Sequence, residues 1–300
     1  MPKICLLHIG TTKTGTTSLQ HSLDLNRKIL YAAGYEMLSN KLRKGNSDYL
    51  LALSQSKRNS DSDIENVYRK FISKSKSNII ITSEQFSTIG CIDKYFFKRT
   101  FDFISSCDLE IKVILYVRNQ KNWILSDYIQ DVKGGGTYSL EQFVKISLEK
   151  EPDKYDLYKL ICSLRNLGAN LVVRPYLTDT LKKSDMAYSF YKNIPNFNSP
   201  LRKLVKRIKN KNSLRPSKSA IDEIIIFNKL FRSKFDEKID ANSKLQKAFK
   251  KVVFAISEIY ESKEPLQLSK DLEKQIEVIY REGNNELFNE FENLKQILKI

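Results

Sequence analysis

The sequence predicts an α/β fold in three layers, a central parallel sheet flanked by helices on both faces, with a helical C-terminal region. Three observations predict it. Short apolar runs recur at 3–9 (KICLLHI), 78–82 (NIIIT), 111–117 (IKVILYV) and 171–174 (LVVR). A stretch with helical spacing precedes each later run. The runs are near-continuously apolar instead of alternating, which marks strands buried on both faces, as in parallel sheets whose crossovers are helices.

Lys3 to Ile9 reads as a buried strand that enters a turn at Gly10. Ser18 to Tyr31 then shows helical spacing through Leu19, Leu23 and Leu30. A strand, a glycine-containing loop and a helix open a nucleotide-binding unit. Gly45 to Asp63 is polar and rich in Ser and Asn, the composition of a surface loop. Gly134, Gly135 and Gly136 read as a flexible break after a helix beginning near Asn122. From Ser217 to Ile300 helical patterns dominate, first at Ile221, Ile224, Ile225 and Asn228, then from Leu272 to Leu298. No internal repeat is present. The whole chain, 1–300, reads as a single domain, with 1–180 as nucleotide-binding core and 181–300 as its mainly helical part.

Composition narrows the functional classes. No apolar run approaches the ~20 residues of a membrane-spanning helix, and Ile4 to Leu7 is too short for a secretory signal. Cys5, Cys91, Cys107 and Cys162 form no C-x-x-C pair and read as reduced thiols, so a cytoplasmic location is expected. With only His8 and His21, a histidine-rich metal site is not expected. The net charge of +16 suits an anionic partner without choosing one. No basic motif is interleaved with aromatics, so nucleic acid is not expected.

The loop from Gly10 to Thr17 reads G-T-T-K-T-G-T-T. Two glycines five apart between strand and helix have the spacing of a phosphate-binding P-loop, which makes the expected fold P-loop-like. The residue after Gly15 is Thr16, where an ATPase carries lysine; the lysine comes earlier, at Lys13. Thr12, Lys13, Thr14, Gly15, Thr16, Thr17 and Ser18 are the candidate set for a 5′-phosphate, through backbone N–H groups, hydroxyls and the helix dipole. Lys13 suits a bridging oxygen on which charge develops. The third strand ends at Arg118, and Ser126 follows eight residues later. A forked cation at a strand's carboxyl end with a hydroxyl on the next helix suits a second, separate phosphate. Trp123 reads as core.

These two motifs together resemble the sulfotransferase superfamily, most closely bacterial sulfotransferase-like proteins with an HIG-x-x-KTGTTSLQ opening. The resemblance covers about the first 130 residues well and the rest loosely. It implies 3′-phosphoadenosine 5′-phosphosulfate (PAPS) as donor, 3′-phosphoadenosine 5′-phosphate (PAP) as product, and no metal requirement. It assigns the phosphosulfate to the first loop and the 3′-phosphate to Arg118 and Ser126. Glu84 follows the second strand and precedes Phe86. By resemblance to heparan-type carbohydrate sulfotransferases it is the candidate base, with a saccharide or glycolipid hydroxyl as the expected acceptor and an amine, a peptide tyrosine or a small phenol as alternatives. His8 is the other candidate base or a supporting core residue.

The chain departs from the cytosolic enzymes of that superfamily in lacking a late Arg-Lys-Gly segment. Arg174 and Tyr176 read as residues lining the cofactor or acceptor site, or equally as a strand-end pair. Residues 201–219 (LRKLVKRIKNKNSLRPSKS) carry many basic residues and no acid. Leu201, Leu204, Val205 and Ile208 share one helical face. That segment reads either as a solvated helix packed by those four residues or as a peripheral contact with an anionic membrane or glycan. Two rival functions stand beside the transferase: a P-loop kinase or NTPase, which needs Mg²⁺, and a non-enzymatic basic binding protein on the same fold.

Overall fold

The computed structural model describes residues 2–11, 15–37, 61–83, 86–87, 90, 95–176, 186–206, 216–234, 244–260 and 264–298. Its strands are β1 (Lys3–Gly10), β2 (Tyr35–Glu36), β3 (Asn78–Ser83), β4 (Leu109–Val117) and β5 (Asn170–Pro175). They form one parallel sheet in the order β2-β3-β1-β4-β5. The chain divides into two compact units. The first comprises Met1–Asn119, Asp153–Asn210 and Tyr280–Ile300 and holds the sheet; the second comprises Gln120–Pro152 and Lys211–Ile279.

The register shows why the strands read as continuously apolar. Leu6 stands between Ile80 and Lys112, and His8 between Thr82 and Ile114. Successive residues turn to opposite faces. Leu6, Ile80, Ile114 and Tyr116 join Leu19 and Leu23 of α1 (Thr16–Leu25), Leu30 of α2 (Arg27–Ala32) and Phe190 and Tyr191 in one core. The alternate residues Cys5, Leu7, Ile79, Ile81, Val113 and Leu115 are no more than 1% exposed, so the other face is covered as well. After α3 (Asp61–Lys74), the helices α4 (Phe96–Ser105) and α7 (Leu157–Asn166) pack against β4 and β5 respectively.

The four expected strands are present, each extended by up to two residues at an end. The two-residue β2 escapes any periodicity argument. The expected helix from Ser18 to Tyr31 is two helices, because Asn26 breaks it. This side chain is 1% exposed. Its Oδ1 accepts the Lys206 N–H at 2.8 Å, and its Nδ2 donates to the Lys206 carbonyl at 3.1 Å. One amide thus pairs both backbone groups of Lys206, as a neighbouring strand would. The same pairing limits α9 (Ser199–Leu204), which follows α8 (Met186–Lys192). Val205 is extended at φ −61°, ψ 121°, and Leu204 is 64% exposed while Val205 is 9% exposed. The expected common helical face of Leu201, Leu204 and Val205 is therefore not formed; Ile208 lies outside the described residues.

In the second unit, α5 (Gln120–Lys133) and α6 (Leu140–Lys150) share a core with α10 (Lys218–Lys234) and α11 (Lys244–Ile259) through Leu125, Tyr128, Ile221, Ile224, Phe249 and Val253. The glycine triplet is a helix cap and not a flexible break. The N–H groups of Gly134, Gly135 and Gly136 return to the carbonyls of Gln130, Val132 and Asp131 at 2.9, 3.1 and 2.8 Å. Buried Asn228 donates to the Val132 and Gly136 carbonyls at 2.8 and 2.7 Å. A Cβ on Gly136 would lie 1.8 Å from Asp131 Oδ2 and 3.0 Å from the Asp131 backbone carbonyl carbon, so a larger residue would have to displace the Asp131 side chain. The C-terminal region is helical as expected. Its last stretch divides at Phe291 into α12 (Lys270–Glu290), a 3₁₀ turn (Glu292–Leu294) and α13 (Lys295–Leu298). No helix among the described residues is long and apolar enough to cross a membrane.

Candidate functional site

Parallel strands deliver all their carboxyl ends to one edge of the sheet. β1 is central, with β3 on one side and β4 on the other. In open α/β sheets the crevice at such a reversal of strand order is where ligands bind.

The first loop begins there. Thr11 donates its N–H to the Tyr116 carbonyl at 3.2 Å, tying the loop's start to β4. Buried Ser87 donates its hydroxyl to the Gly10 carbonyl at 2.8 Å and ties it to the segment after β3. Thr12, Lys13 and Thr14 lie outside the described residues. Gly15 adopts φ 74°, ψ 18°, a left-handed turn that costs a residue with a Cβ about 1–2 kcal/mol. It leads directly into α1 as the N-cap, where a glycine brings no side-chain hydrogen bond. First-turn N–H groups have no acceptor inside a helix, and that first turn begins here at Thr16. The Thr16 side chain is 1% exposed, and its Oγ1 has no hydrogen-bond partner among the described residues. One turn on, Gln20 Nε2 is buried and also has no partner among the described residues. An unsatisfied buried hydroxyl costs about 1–3 kcal/mol, so this turn suits an anion whose oxygens accept from it.

Arg118 follows β4. Its guanidinium lies over the Tyr176 ring at 5.9 Å, and the residue is only 7% exposed. Tyr176 is fixed by its N–H to the Val117 carbonyl at 2.7 Å. Arg174 is engaged by α8's end, its Nε and Nη2 donating to Asn193 Oδ1 at 3.1 and 3.0 Å. Asn193 donates to the Ser189 carbonyl at 2.8 Å, and Ser189 Oγ accepts the Tyr116 hydroxyl at 3.0 Å. Burial pushes that phenol up to about 12.

His8 lies deeper, two residues before Gly10, with no exposed surface. Its Nδ1 is 2.8 Å from Thr82 Oγ1, and the rings of Tyr116 and Phe190 stand edge-on at 5.7 and 5.5 Å. Burial lowers its pKa to about 3, so the imidazole is neutral at neutral pH. Its Nε2 has no hydrogen-bond partner among the described residues.

The first unit therefore brings Gly15, Thr16, Ser18, Arg118, Arg174 and Tyr176 to one sheet edge, with His8 beneath. Glu84 lies outside the described residues; Ser83, immediately before it, pairs with Ile9. Ser126 is half-buried on α5 in the second unit. Trp123 is wholly buried, as a core residue should be. Among the described residues no three His, Cys, Asp or Glu side chains converge as a metal site would. A groove of about 420 Å³, lined by Arg27, Lys28, Tyr31, Tyr35 and Phe71, opens beside β2, which pairs with the amino-terminal half of β3 and so lies away from this edge.

Sequence reasoning missed Ser87, Ser189 and Asn193. Ser87 sits in the S-E-Q-F-S run that holds Glu84, yet no spacing rule singles it out. The other two become visible only when α8 folds over β4 and β5.

The fold and the edge together define an α/β protein with a loop suited to phosphate. No protein-family model matches the chain, and no curated protein does. Similar solved structures include a sulfotransferase from Alicyclobacillus acidocaldarius, 13% identical, covering 80% of this chain and 99% of that one with a TM-score of 0.43. The sulfotransferase domain of the curacin biosynthetic pathway is 12% identical over 80% of this chain and 99% of its own, with a TM-score of 0.36. A structure of the PezAT toxin–antitoxin system of Streptococcus pneumoniae is 13% identical over 87% and 88%, with a TM-score of 0.33. At these TM-scores the functional reading rests on the residues and not on the likeness.

Proposed function

We propose that the chain is a sulfotransferase that moves the sulfuryl group of PAPS to a hydroxyl or amine of an acceptor, with a saccharide or glycolipid first and a tyrosine or phenol second. One juxtaposition carries the reading. The left-handed turn with the unpartnered Thr16 hydroxyl follows β1, and the buried Arg118 follows its neighbour β4. Two separate anion-holding positions suit a nucleotide with phosphoryl groups on its 5′ and 3′ sides; a linear triphosphate needs only the first.

In this reading Thr12 to Ser18 hold the 5′-phosphosulfate, and Arg118 with Ser126 holds the 3′-phosphate. The whole chain is read here as a single sulfotransferase-like domain. The acceptor oxygen bonds to sulfur as the bond from sulfur to the bridging phosphate oxygen breaks. That oxygen keeps the electron pair beside Lys13, and the acceptor proton passes to the Glu84 carboxylate. His8, neutral and buried, supports the strand under the loop.

The test is transfer from PAPS to a saccharide panel, read by mass spectrometry. Glu84→Gln should lower kcat by about 10²–10⁴ while PAP affinity is kept. A Glu84→Gln enzyme of full activity would remove the base from this scheme. A P-loop kinase is the second reading. It is favoured by one feature: β3 runs beside β1 and is followed directly by a carboxylate, Glu84, which could hold Mg²⁺. It requires ATP and magnesium, and PAPS would be inert.

A further inference from the structure

Arg174 and Asn193 stand at the carboxyl edge with no part in the transfer scheme. Arg174 pairs with Tyr116 in the ladder between β5 and β4. The bond from the Tyr176 N–H to the Val117 carbonyl continues that ladder, so Arg118 and Tyr176 come next along it. Tyr116 and Tyr176 pack into the same core, and the Arg118 guanidinium lies over the Tyr176 ring. Residues two apart on a strand share a face, which puts Arg174 and Arg118 on one side of the sheet. At a strand spacing of ~4.8 Å and a rise of ~3.3 Å per residue, their Cα atoms are roughly 8 Å apart, close enough for both side chains to meet one phosphate.

Asn193 Oδ1 accepts from Arg174 Nε and Nη2 at 3.1 and 3.0 Å. Those bonds use one side of the guanidinium and leave its Nη1–Nη2 end, a fork that fits two oxygens of a phosphate. No carboxylate among the described residues pairs with Arg174, and its side chain is exposed. The orienting group is an amide, which fixes the guanidinium without cancelling its charge. Asn193 is itself held, its Nδ2 donating to the Ser189 carbonyl at 2.8 Å.

Resting on the PAPS reading of this edge, we infer that Arg174 binds the donor's 3′-phosphate beside Arg118, with Asn193 as its positioning residue. Strand order separates this role from acceptor binding. Arg174 lies on β5, beyond β4 from the loop that follows β1, whereas Glu84 follows β3 on the other side of β1 in the sequence of strands. Charge supports the same role. A phosphate monoester carries about two negative charges at neutral pH; Arg118 supplies one positive charge and Arg174 the second.

The experiment is titration calorimetry of PAP and of adenosine 5′-monophosphate, which lacks the 3′-phosphate, on the full chain without magnesium. The wild type should prefer PAP. Arg174→Gln should weaken PAP about tenfold and change the monophosphate by less than about twofold. Arg174→Lys keeps the charge but loses the fork, and its PAP affinity should fall between the two. Asn193→Asp still offers an oxygen to Arg174 but cancels its charge, and should lower PAP affinity about as far as Arg174→Gln. Far-UV circular dichroism verifies that each variant is folded. If Arg174→Gln binds PAP as the wild type does, or loses PAP and the monophosphate alike, the assignment is overturned while the PAPS reading stands. Unchanged PAP binding in Asn193→Asp overturns the positioning role. A wild type that binds PAP no better than the monophosphate removes the PAPS reading itself, and the role of Arg174 with it.

Discussion

His8 should make the fold sensitive to mild acid. In the unfolded chain its pKa is near 6.5, and in the folded chain burial lowers it to about 3. Between these values the unfolded state binds a proton that the folded state refuses. The stability is complete above about pH 6.5 and is lost as pH falls towards 3, at about 1.4 kcal/mol per pH unit. From pH 7 to pH 5 the loss from this one group is about 2 kcal/mol. The perturbation is His8→Gln, whose amide can still hydrogen-bond Thr82 but does not titrate. The assay is urea unfolding of both proteins at pH 7 and pH 5, followed by far-UV circular dichroism. The wild type should lose about 2 kcal/mol more than the variant over that interval, since the remaining groups cancel in the comparison. Parallel losses in the two proteins would refute the reasoning, because His8 would then accept a proton inside the fold.

Asn26→Leu should lower the unfolding free energy by about 2–4 kcal/mol, because both backbone groups of Lys206 lose their partner; a shifted urea midpoint with unchanged slope checks it. Gly15→Ala places a Cβ at φ 74° and should weaken PAP binding about tenfold, since about 1–2 kcal/mol of strain opposes the turn; titration calorimetry reads it. Asn193→Ala releases Arg174 and should change stability by under about 1.5 kcal/mol, because Arg174 is exposed and regains water; thermal melting reads this.

The sheet was legible because its strands are buried on both faces, and Leu6, Ile80 and Ile114 must be apolar wherever the helices lie. The loop was legible because a left-handed turn before a helix demands a glycine at position 15. Asn26 was not. It stands in a run of good helical spacing, and its partner Lys206 lies 180 residues away. The glycine triplet misled for a related reason. Glycine confers freedom on a chain unless carbonyls and a buried amide claim its N–H and C=O groups, and Asn228 supplies that amide from α10. Arg118 shows the reach of strand-end logic. The sequence placed it at an edge, and the structure adds that it is largely buried, with its guanidinium over the Tyr176 ring.

The central claim is tested most directly by titration calorimetry of PAP against the wild-type chain and Arg118→Ala, without magnesium, with ATP as the competitor. A 3′-phosphate held by a largely buried guanidinium should make PAP bind far better than ATP, and Arg118→Ala should cost about 1.5–3 kcal/mol, or roughly 10- to 150-fold. ATP binding more tightly than PAP once magnesium is added, with Arg118→Ala indifferent, would contradict the account and establish the phosphoryl-transfer reading in its place.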